Sequence, residues 1–271
     1  MEPELENIRM EVSDHIAVVT LDRPPVNALD SPTWRELATV FDSLGARRDV
    51  RAAIFNSGGR VFCAGVDLND SPRRHRPDGR SEDGGPQGDP RDQIDSGLIA
   101  RQAFWALYDC AVPVIGAIDG KAIGAGAVLV ALCDLVVATP RFEMALTEIN
   151  VGVLGGVKAA QRMVGPYLAK RLFLTGDFIG AEELYRRGAI EAVVDPGELM
   201  ASARAIAERI ATKSPIAVRL AKESANRVEY MDLKEGYRTE QDYTTRVKRY
   251  AVSEEAGRAF AERRTPRFRW E

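Results

Sequence analysis

Two glycine-containing turns constrain this chain more than any other feature. Each follows a short apolar run, and one leads directly into a segment with no polar face. The first reads Phe62-Cys63-Ala64-Gly65-Val66-Asp67-Leu68. The second reads Gly120-Lys121-Ala122-Ile123-Gly124-Ala125-Gly126-Ala127 and continues through Val128-Leu129-Val130-Ala131-Leu132-Cys133-Asp134, which reads as a buried helix. Small residues at such turns let backbone N–H groups approach a ligand closely, and a helix N-terminus adds partial positive charge. Two such N–H groups aimed at one oxygen make an oxyanion hole.

The pattern around the turns alternates strand and helix. Ile16 to Leu21 is a short β-type run ended by Arg23-Pro24-Pro25. Asp30-Ser31-Pro32 supplies cap candidates for a helix carrying Trp34, Leu37, Val40, Phe41 and Leu44 on one face. Strands follow at Ala52 to Phe55, Val114 to Ile118 and Leu135 to Ala138, with a helix at Leu98 to Tyr108. The last third reads as helices: Gly156 to Val164, Tyr167 to Leu174, Ala181 to Arg187, Leu199 to Thr212, Ile216 to Val228, Asp232 to Arg249 and Glu254 to Glu262. Strands alternating with helices argue for the α/β class.

Residues 71–96 break the pattern. They hold four prolines, four glycines and eleven charges against one aliphatic residue, Ile94. No core can be built from them, so they read as a mobile surface insertion; a lid over a ligand is the alternative.

The net charge of −3 offers no global field for nucleic acid, so an anionic ligand must meet a local patch. Cys63, Cys110 and Cys133 sit in apolar contexts without a Cys-x-x-Cys pair, and read as buried free thiols of a reducing compartment. The acidic start Met1-Glu2-Pro3-Glu4 lacks the apolar segment of a signal peptide. Ala122 to Leu132 is too short to span a bilayer. The expectation is a cytoplasmic protein without a membrane partner. His15 at a strand start and His75 in the insertion stand apart, and no metal-ligand spacing is present.

Five segments in order carry a resemblance. They are Arg23-Pro24 with Asn27-Ala28-Leu29, the Phe62 turn, the Gly120 to Asp134 stretch, Thr147-Glu148-Ile149-Asn150-Val151-Gly152, and Leu174-Thr175-Gly176. Together they resemble the enoyl-CoA hydratase/isomerase (crotonase) superfamily over about Ile8 to Arg267. The resemblance implies an α/β fold, a spiral of β-β-α turns with a helical C-terminal region. It implies a core over 1–200, an oligomerisation region over 201–271, and a homotrimer or dimer of trimers. It implies an acyl-CoA substrate and no separate cofactor, coenzyme A entering as part of the thioester.

Carried over by position, the oxyanion donors are the N–H groups of Val66 and Ala125, where the family more often has glycine at the second. Ala64, Val66, Asp67, Leu68, Gly124, Ala125 and Val128 are the implied acyl-CoA contacts, with Asp67 as a helix cap the competing reading. Two-acid hydratases carry a glutamate where this chain has Val128, and their second glutamate falls on Glu148. A carboxyl flanked by apolar residues has its pKa raised toward working pH, which suits an acid or base. Glu148 is thus the expected single acid–base group, with Glu143 the nearest stand-in for the missing one. Val153-Leu154-Gly155-Gly156-Val157-Lys158 replaces a proline-bearing glycine cluster and reshapes the acyl pocket; Lys158 reads as a solvated cation. Arg23, Arg267 and Arg269 are the candidates for the CoA phosphates.

The expected activity is isomerisation or hydration of an enoyl-CoA, with single-base isomerisation favoured. The alternatives are a catalytically silent acyl-CoA-binding scaffold, or another reaction of the superfamily such as decarboxylation, C–C cleavage or thioester hydrolysis.

Overall fold

A chain with so many isolated apolar runs must bury both faces of the sheet they form. In the computed structural model, which describes residues 5–70, 95, 97–268 and 270, it does so. Strand β1 (Ile8–Ser13) pairs antiparallel with β2 (Ile16–Leu21), from Ile8 opposite Leu21 to Ser13 opposite Ile16. Asp14 and His15 join them with positive φ at both positions, as a two-residue hairpin turn requires. His15 therefore sits in that turn and not at a strand start; its Nδ1 lies 2.9 Å from the Asp49 carbonyl.

From β2 the sheet continues in parallel through β3 (Ala52–Ser57), β5 (Val114–Ile118), β7 (Leu135–Ala138) and β10 (Ala192–Val193). Side chains alternate across it. Ala53 and Phe55 enter the main core, while Ile54, Ile115 and Val137 turn to the opposite face. There they meet Leu199, Ala203 and Ala207 of a C-terminal helix, which closes the second face.

A second sheet, of order β4-β6-β8-β9, is made from three-residue strands: β4 (Val61–Cys63), β6 (Lys121–Ile123), β8 (Glu143–Ala145) and β9 (Phe178–Gly180). The first three run parallel. The chain thus repeats one unit three times. Strand β3 is followed by β4 and helix α2 (Leu98–Tyr108), and β5 by β6 and α3 (Ala125–Leu132). Strand β7 is followed by β8, a 3₁₀ turn (Glu148–Val151) and α4 (Val157–Val164). The first strands stack in the large sheet and the second strands in the small one, which is the expected β-β-α spiral.

Helix α1 (Ser31–Ala46) begins where the capping signal places it, Asp30 accepting from the Thr33 N–H at 3.0 Å. It buries Thr33, Trp34, Leu37, Val40, Phe41 and Leu44. Phe41, Phe55 and Phe62 contact edge to face with centroids 5.3 and 5.5 Å apart, linking this helix to both sheets.

Beyond α4 come α5 (Pro166–Thr175), α6 (Ala181–Arg186), α7 (Leu199–Ala211), α8 (Pro215–Val228), α9 (Leu233–Val247) and α10 (Ala251–Ala261). The caps Ser214 and Asp232 start α8 and α9. All three cysteines are free and buried. Among the described residues, no helix is long and apolar enough to cross a membrane.

Candidate active site

The three loops that leave the parallel strands of the small sheet converge. The loop after β4 carries Val66, the loop after β6 carries Ala125, and the loop after β8 carries Glu148. Because β4, β6 and β8 are neighbours, one turn of the spiral sets each loop beside the next.

Close approach is enforced by glycine. Gly65 has φ +93°, and a Cβ there would stand 2.9 Å from the Ile123 carbonyl oxygen. A Cβ on Gly126 would stand 2.4 Å from the Cys63 carbonyl oxygen. Any side chain at either position would push the two turns apart.

The backbone then directs two N–H groups outward. The Gly65 carbonyl accepts from the Leu29 N–H at 2.8 Å, and the Asp67 N–H donates to the Leu29 carbonyl at 2.9 Å. These bonds flank a parallel bridge between Leu29 and Val66, so the Val66 N–H is turned away from that strand. Ala125 is the first residue of α3, where an N–H has no intrahelical acceptor. Gly124 sets this geometry with φ 55° and ψ −117°, and its own N–H is held by the Ala145 carbonyl at 2.8 Å. All eight residues of α3 are buried, so its positive end faces the site with little solvent screening.

Glu148 completes the group. A Cβ added to Gly124 would lie 2.7 Å from Glu148 Oε1, so the carboxyl rests directly against the turn that opens α3. Glu148 Oε2 is buried and meets no hydrogen-bond donor. Burial pushes the Glu148 pKa above the ordinary glutamate value, only partly opposed by a backbone hydrogen bond. A half-buried carboxyl with one unpartnered oxygen, set beside open backbone donors, is an arrangement able to accept a proton next to an anion cradle.

Val128 is 7% exposed and provides no second carboxyl. A Cβ on Gly156 would stand 2.9 Å from Val128 Cγ2 and 2.8 Å from Leu146 Cδ2, so these two side chains and the glycine form one apolar wall. Gly155 lies beside Glu148, its absent Cβ 3.9 Å from Oε1. The Gly155-Gly156 pair and Leu146 belong to the site's wall, and the glycine pair beside an apolar run is the signal that marks them in the sequence.

The remaining candidates divide. Ala64 is tied to the Val26 carbonyl at 3.0 Å, and Leu68 is exposed. Among the described residues Asp67 caps no helix; it accepts from the Asn69 N–H at 2.9 Å and from Arg23 Nη2 at 2.9 Å. Those bonds hold its carboxyl below the usual range, the Asn69 N–H contributing most. Arg23 already contacts Asp30, Asp67 and the Ala28 carbonyl, so its guanidinium is engaged within the protein and not held open for a phosphate. Glu143 pairs with Lys121 at 3.3 Å at the start of β8, the opposite end of that strand from the loop that carries Glu148. Lys158 lies on an exposed helix face with its Nζ 4.1 Å from the Tyr230 ring. Arg267 is exposed. Arg269, His75 and nearly all of 71–96 lie outside the described residues.

A cavity of about 710 Å³ lies elsewhere, between α7, α8 and the large sheet, lined by Leu135, Ile206, Arg209, Ile210 and Lys222 among others. It contains none of the three converging loops.

Comparison with known proteins points one way. A family model described as "Enoyl-CoA hydratase/isomerase" matches residues 11–271. A (7aS)-7a-methyl-1,5-dioxo-2,3,5,6,7,7a-hexahydro-1H-indene-carboxyl-CoA hydrolase of Rhodococcus jostii is 35% identical over 254 residues, covering 94% of this chain and 93% of that protein. A short-chain-enoyl-CoA hydratase of Clostridium acetobutylicum is 32% identical over 229 residues, covering 83% and 82%. The crystal structure of an enoyl-CoA hydratase from Bacillus anthracis superposes with a TM-score of 0.86 at 29% identity, covering 98% of this chain and 100% of that one.

Proposed function

Given that the chain belongs to the enoyl-CoA hydratase/isomerase family, we propose that it transforms an acyl-CoA thioester through an enolate, using Glu148 as its single acid–base group. In this reading the N–H groups of Val66 and Ala125 hold the thioester oxygen as it gains negative charge. Aligned donors in a site with little water stabilise the transition state more than the ground state. The observation that carries the proposal is Glu148 itself: its buried Oε2 has no partner, and its Oε1 lies against the turn that presents the Ala125 donor.

One carboxyl and an apolar wall at Val128 favour moving a proton over adding water. Glu148 removes a proton from C2 of a 3-enoyl-CoA, the electrons pass into the thioester oxygen, and the same carboxyl returns the proton to C4. The product is the 2-enoyl-CoA. The raised carboxyl pKa fits this use, because a carboxylate whose pKa lies above the ordinary value is a stronger base and still returns the proton it takes.

A second reading rests on the Rhodococcus relative, whose name specifies a carboxyl-CoA hydrolase. With a 3-oxoacyl-CoA, Glu148 would take a proton from water as its oxygen bonds to the C3 ketone. The C2–C3 bond then breaks, its electrons enter the enolate in the same cradle, and C2 regains the proton. On the family resemblance we further propose a soluble homotrimeric or hexameric protein, with its subunit contacts made within the C-terminal region from 201 onward.

The test is to offer purified protein a 3-enoyl-CoA, a 2-enoyl-CoA and a 3-oxoacyl-CoA, each with a Glu148→Gln control, and identify products by mass. An isomer of unchanged mass, lost in the control, supports the first reading. Addition of one water to the 2-enoyl-CoA would replace isomerisation with hydration. Cleavage of the 3-oxoacyl-CoA into one carboxylic acid and one shorter acyl-CoA would establish the second reading. Binding of all three without reaction would leave a silent acyl-CoA binder.

A further inference from the structure

Arg23 lies just past β2, away from the converging loops in sequence, yet its side chain reaches the turn that carries Val66. Its Nη2 donates to Asp67 Oδ2 at 2.9 Å and pairs with Asp30 Oδ2 at 2.9 Å. Its Nη1 donates to the Ala28 carbonyl at 3.0 Å. The guanidinium therefore spans the turn after β2, the N-cap of α1 and the residue that follows Val66. All three side chains are largely shielded, at 25% exposure for Arg23, 16% for Asp30 and 15% for Asp67.

We propose that Arg23 is a positioning residue for the Val66 N–H, its planar fork holding Asp67, Asp30 and the Ala28 carbonyl in the register that aims this donor. The inference rests on the oxyanion-hole reading given above.

The backbone alone leaves this register underdetermined. Segment 26–29 is laced to 64–67 by bonds from Ala64 to Val26, Leu29 to Gly65 and Asp67 to Leu29. These fix the spacing of the two segments. The Val66 N–H, however, points off the far side of the bridge, where no acceptor among the described residues holds it. Rotation of the 65–68 turn about those bonds would swing it. Asp67 is the residue next after Val66, and its two oxygens are held separately, Oδ1 by the Asn69 N–H and Oδ2 by Arg23. Asp30 anchors the other end, since it also accepts from the Thr33 N–H and hydroxyl. The loop before it is fixed in turn by Asn27, buried at 3% with φ 53°. Its amide donates to the Gly58 carbonyl in the loop after β3 at 2.7 Å and to the Val61 carbonyl of β4, the strand that leads into the donor turn, at 2.8 Å. Arg23 closes this frame. A lysine matches the charge but not the fork, since an ammonium cannot present parallel, coplanar N–H groups to separate acceptors.

The test uses the intact protein and a 3-arylpropenoyl-CoA, whose absorbance moves to longer wavelength when its thioester carbonyl is polarised. Wild type, Arg23→Gln, Arg23→Lys and Asp67→Asn are titrated with it, and kcat and KM are measured on the substrate that the wild type turns over. The expected result is a red shift in the wild type that shrinks in Arg23→Gln, with kcat falling about tenfold to a hundredfold and KM changing less than threefold. That loss is a fraction of the roughly 10²–10³ that follows deletion of an oxyanion donor. Arg23→Lys, which keeps the charge near both carboxylates, is expected between wild type and Arg23→Gln. Arg23→Gln combined with Asp67→Asn is expected to lose no more than the worse single variant.

Full red shift and full kcat in Arg23→Gln or in Arg23→Lys, with only the melting temperature lowered, would overturn the positioning role. So would a rise in KM alone, the mark of a phosphate contact. A wild type that binds the probe with no shift would overturn the oxyanion-hole reading itself, and this proposal with it.

Discussion

The two ends of helix α3 are built on opposite rules. At the N-terminal end, Ala125 has no acceptor in the helix, Gly124 holds a conformation that side chains disfavour, and a buried carboxyl oxygen of Glu148 has no donor. At the C-terminal end the polar groups are matched. Arg162 Nη1 donates to the Ala131 and Cys133 carbonyls at 2.8 and 3.1 Å, and its Nε pairs with Glu229 at 3.0 Å. Asp134 accepts from the Val114 N–H at 2.7 Å and from Lys222 Nζ at 2.7 Å. Both cations sit where the helix dipole is negative, and Lys222 is a residue of α8. The same eight-residue helix is thus frustrated where it meets the site and anchored where it meets the C-terminal helices. Polar groups left open in a buried place need a rigid surround, since a loose one would close over them.

This contrast can be broken. The largest effect is expected at the open end: Glu148→Gln should lower kcat by about 10²–10⁴, the range of a lost general acid–base group. Its stability should move the other way. Glu148 has a folded pKa above its unfolded value, so wild-type stability falls as pH rises from 4.5 through that raised pKa. Glutamine has no such loss. The variant should melt at or above the wild-type temperature at pH 8, with the difference vanishing near pH 4. A melting temperature lower at pH 8 than wild type would show that the carboxylate is held by groups that stabilise its charge. In the wild type, kcat of a base-catalysed step should rise with pH through a value above 4.5.

Gly124→Ala comes next. A methyl there would stand 2.7 Å from Glu148 Oε1 and hold a residue at φ 55°, ψ −117°. Activity should fall about a hundredfold, as for an ångström-scale misplacement of a reacting group. The backbone strain should cost about 1–3 kcal/mol, read from chemical denaturation. Unaltered kcat would mean that the carboxyl does not work from its position against the turn.

At the anchored end the signs exchange. Lys222→Met removes one member of a shielded ion pair, whose lysine side chain is 5% exposed, and leaves Asp134 unmatched. The cost should be about 3 kcal/mol in stability, with kcat within a few-fold of wild type where the protein remains folded. A fall in kcat as large as that of Gly124→Ala would show that the two ends are not separable.

Arg162→Lys should be the mildest change. It keeps a cation at the helix end but loses the fork that meets two carbonyls and Glu229 together, costing about 1 kcal/mol. Calorimetry on the purified protein checks it, and a cost near zero would mean that charge alone anchors that end.

The anchored framework and the open site differ also in how far the sequence reveals them. Helix α1 is legible from Asp30 to Leu44, because a cap and a stripe of apolar side chains repeat within one local segment. The parallel strands of the large sheet are legible as apolar runs. The three-residue strands β4, β6 and β8 are not, since no periodicity can be read from three residues and each exists only by pairing with a strand tens of residues away. Those are the strands that gather the site. The turns at Gly65 and Gly124 are visible in the sequence, but their contact is not. Arg23 shows the same limit more sharply: among the residues around it the sequence offers a free cation, and only the fold brings Asp30 and Asp67 to it. His15 is misplaced by one turn because the apolar run of β2 begins immediately after it.

The stepped arrangement of loops after β4, β6 and β8 bears on how such a protein changes over generations. The two proposed donors belong to the main chain, and every residue except proline supplies an N–H. Drift at Val66 or Ala125 alters the shape around them without erasing the charge they offer. The third step differs, for one base change can remove the carboxyl of Glu148, and the wall at Val128 and Gly156 is equally open to replacement. A lineage that keeps the first two steps therefore keeps the capacity to stabilise an enolate. Which bond is made or broken is decided by the few side chains that selection can exchange one at a time.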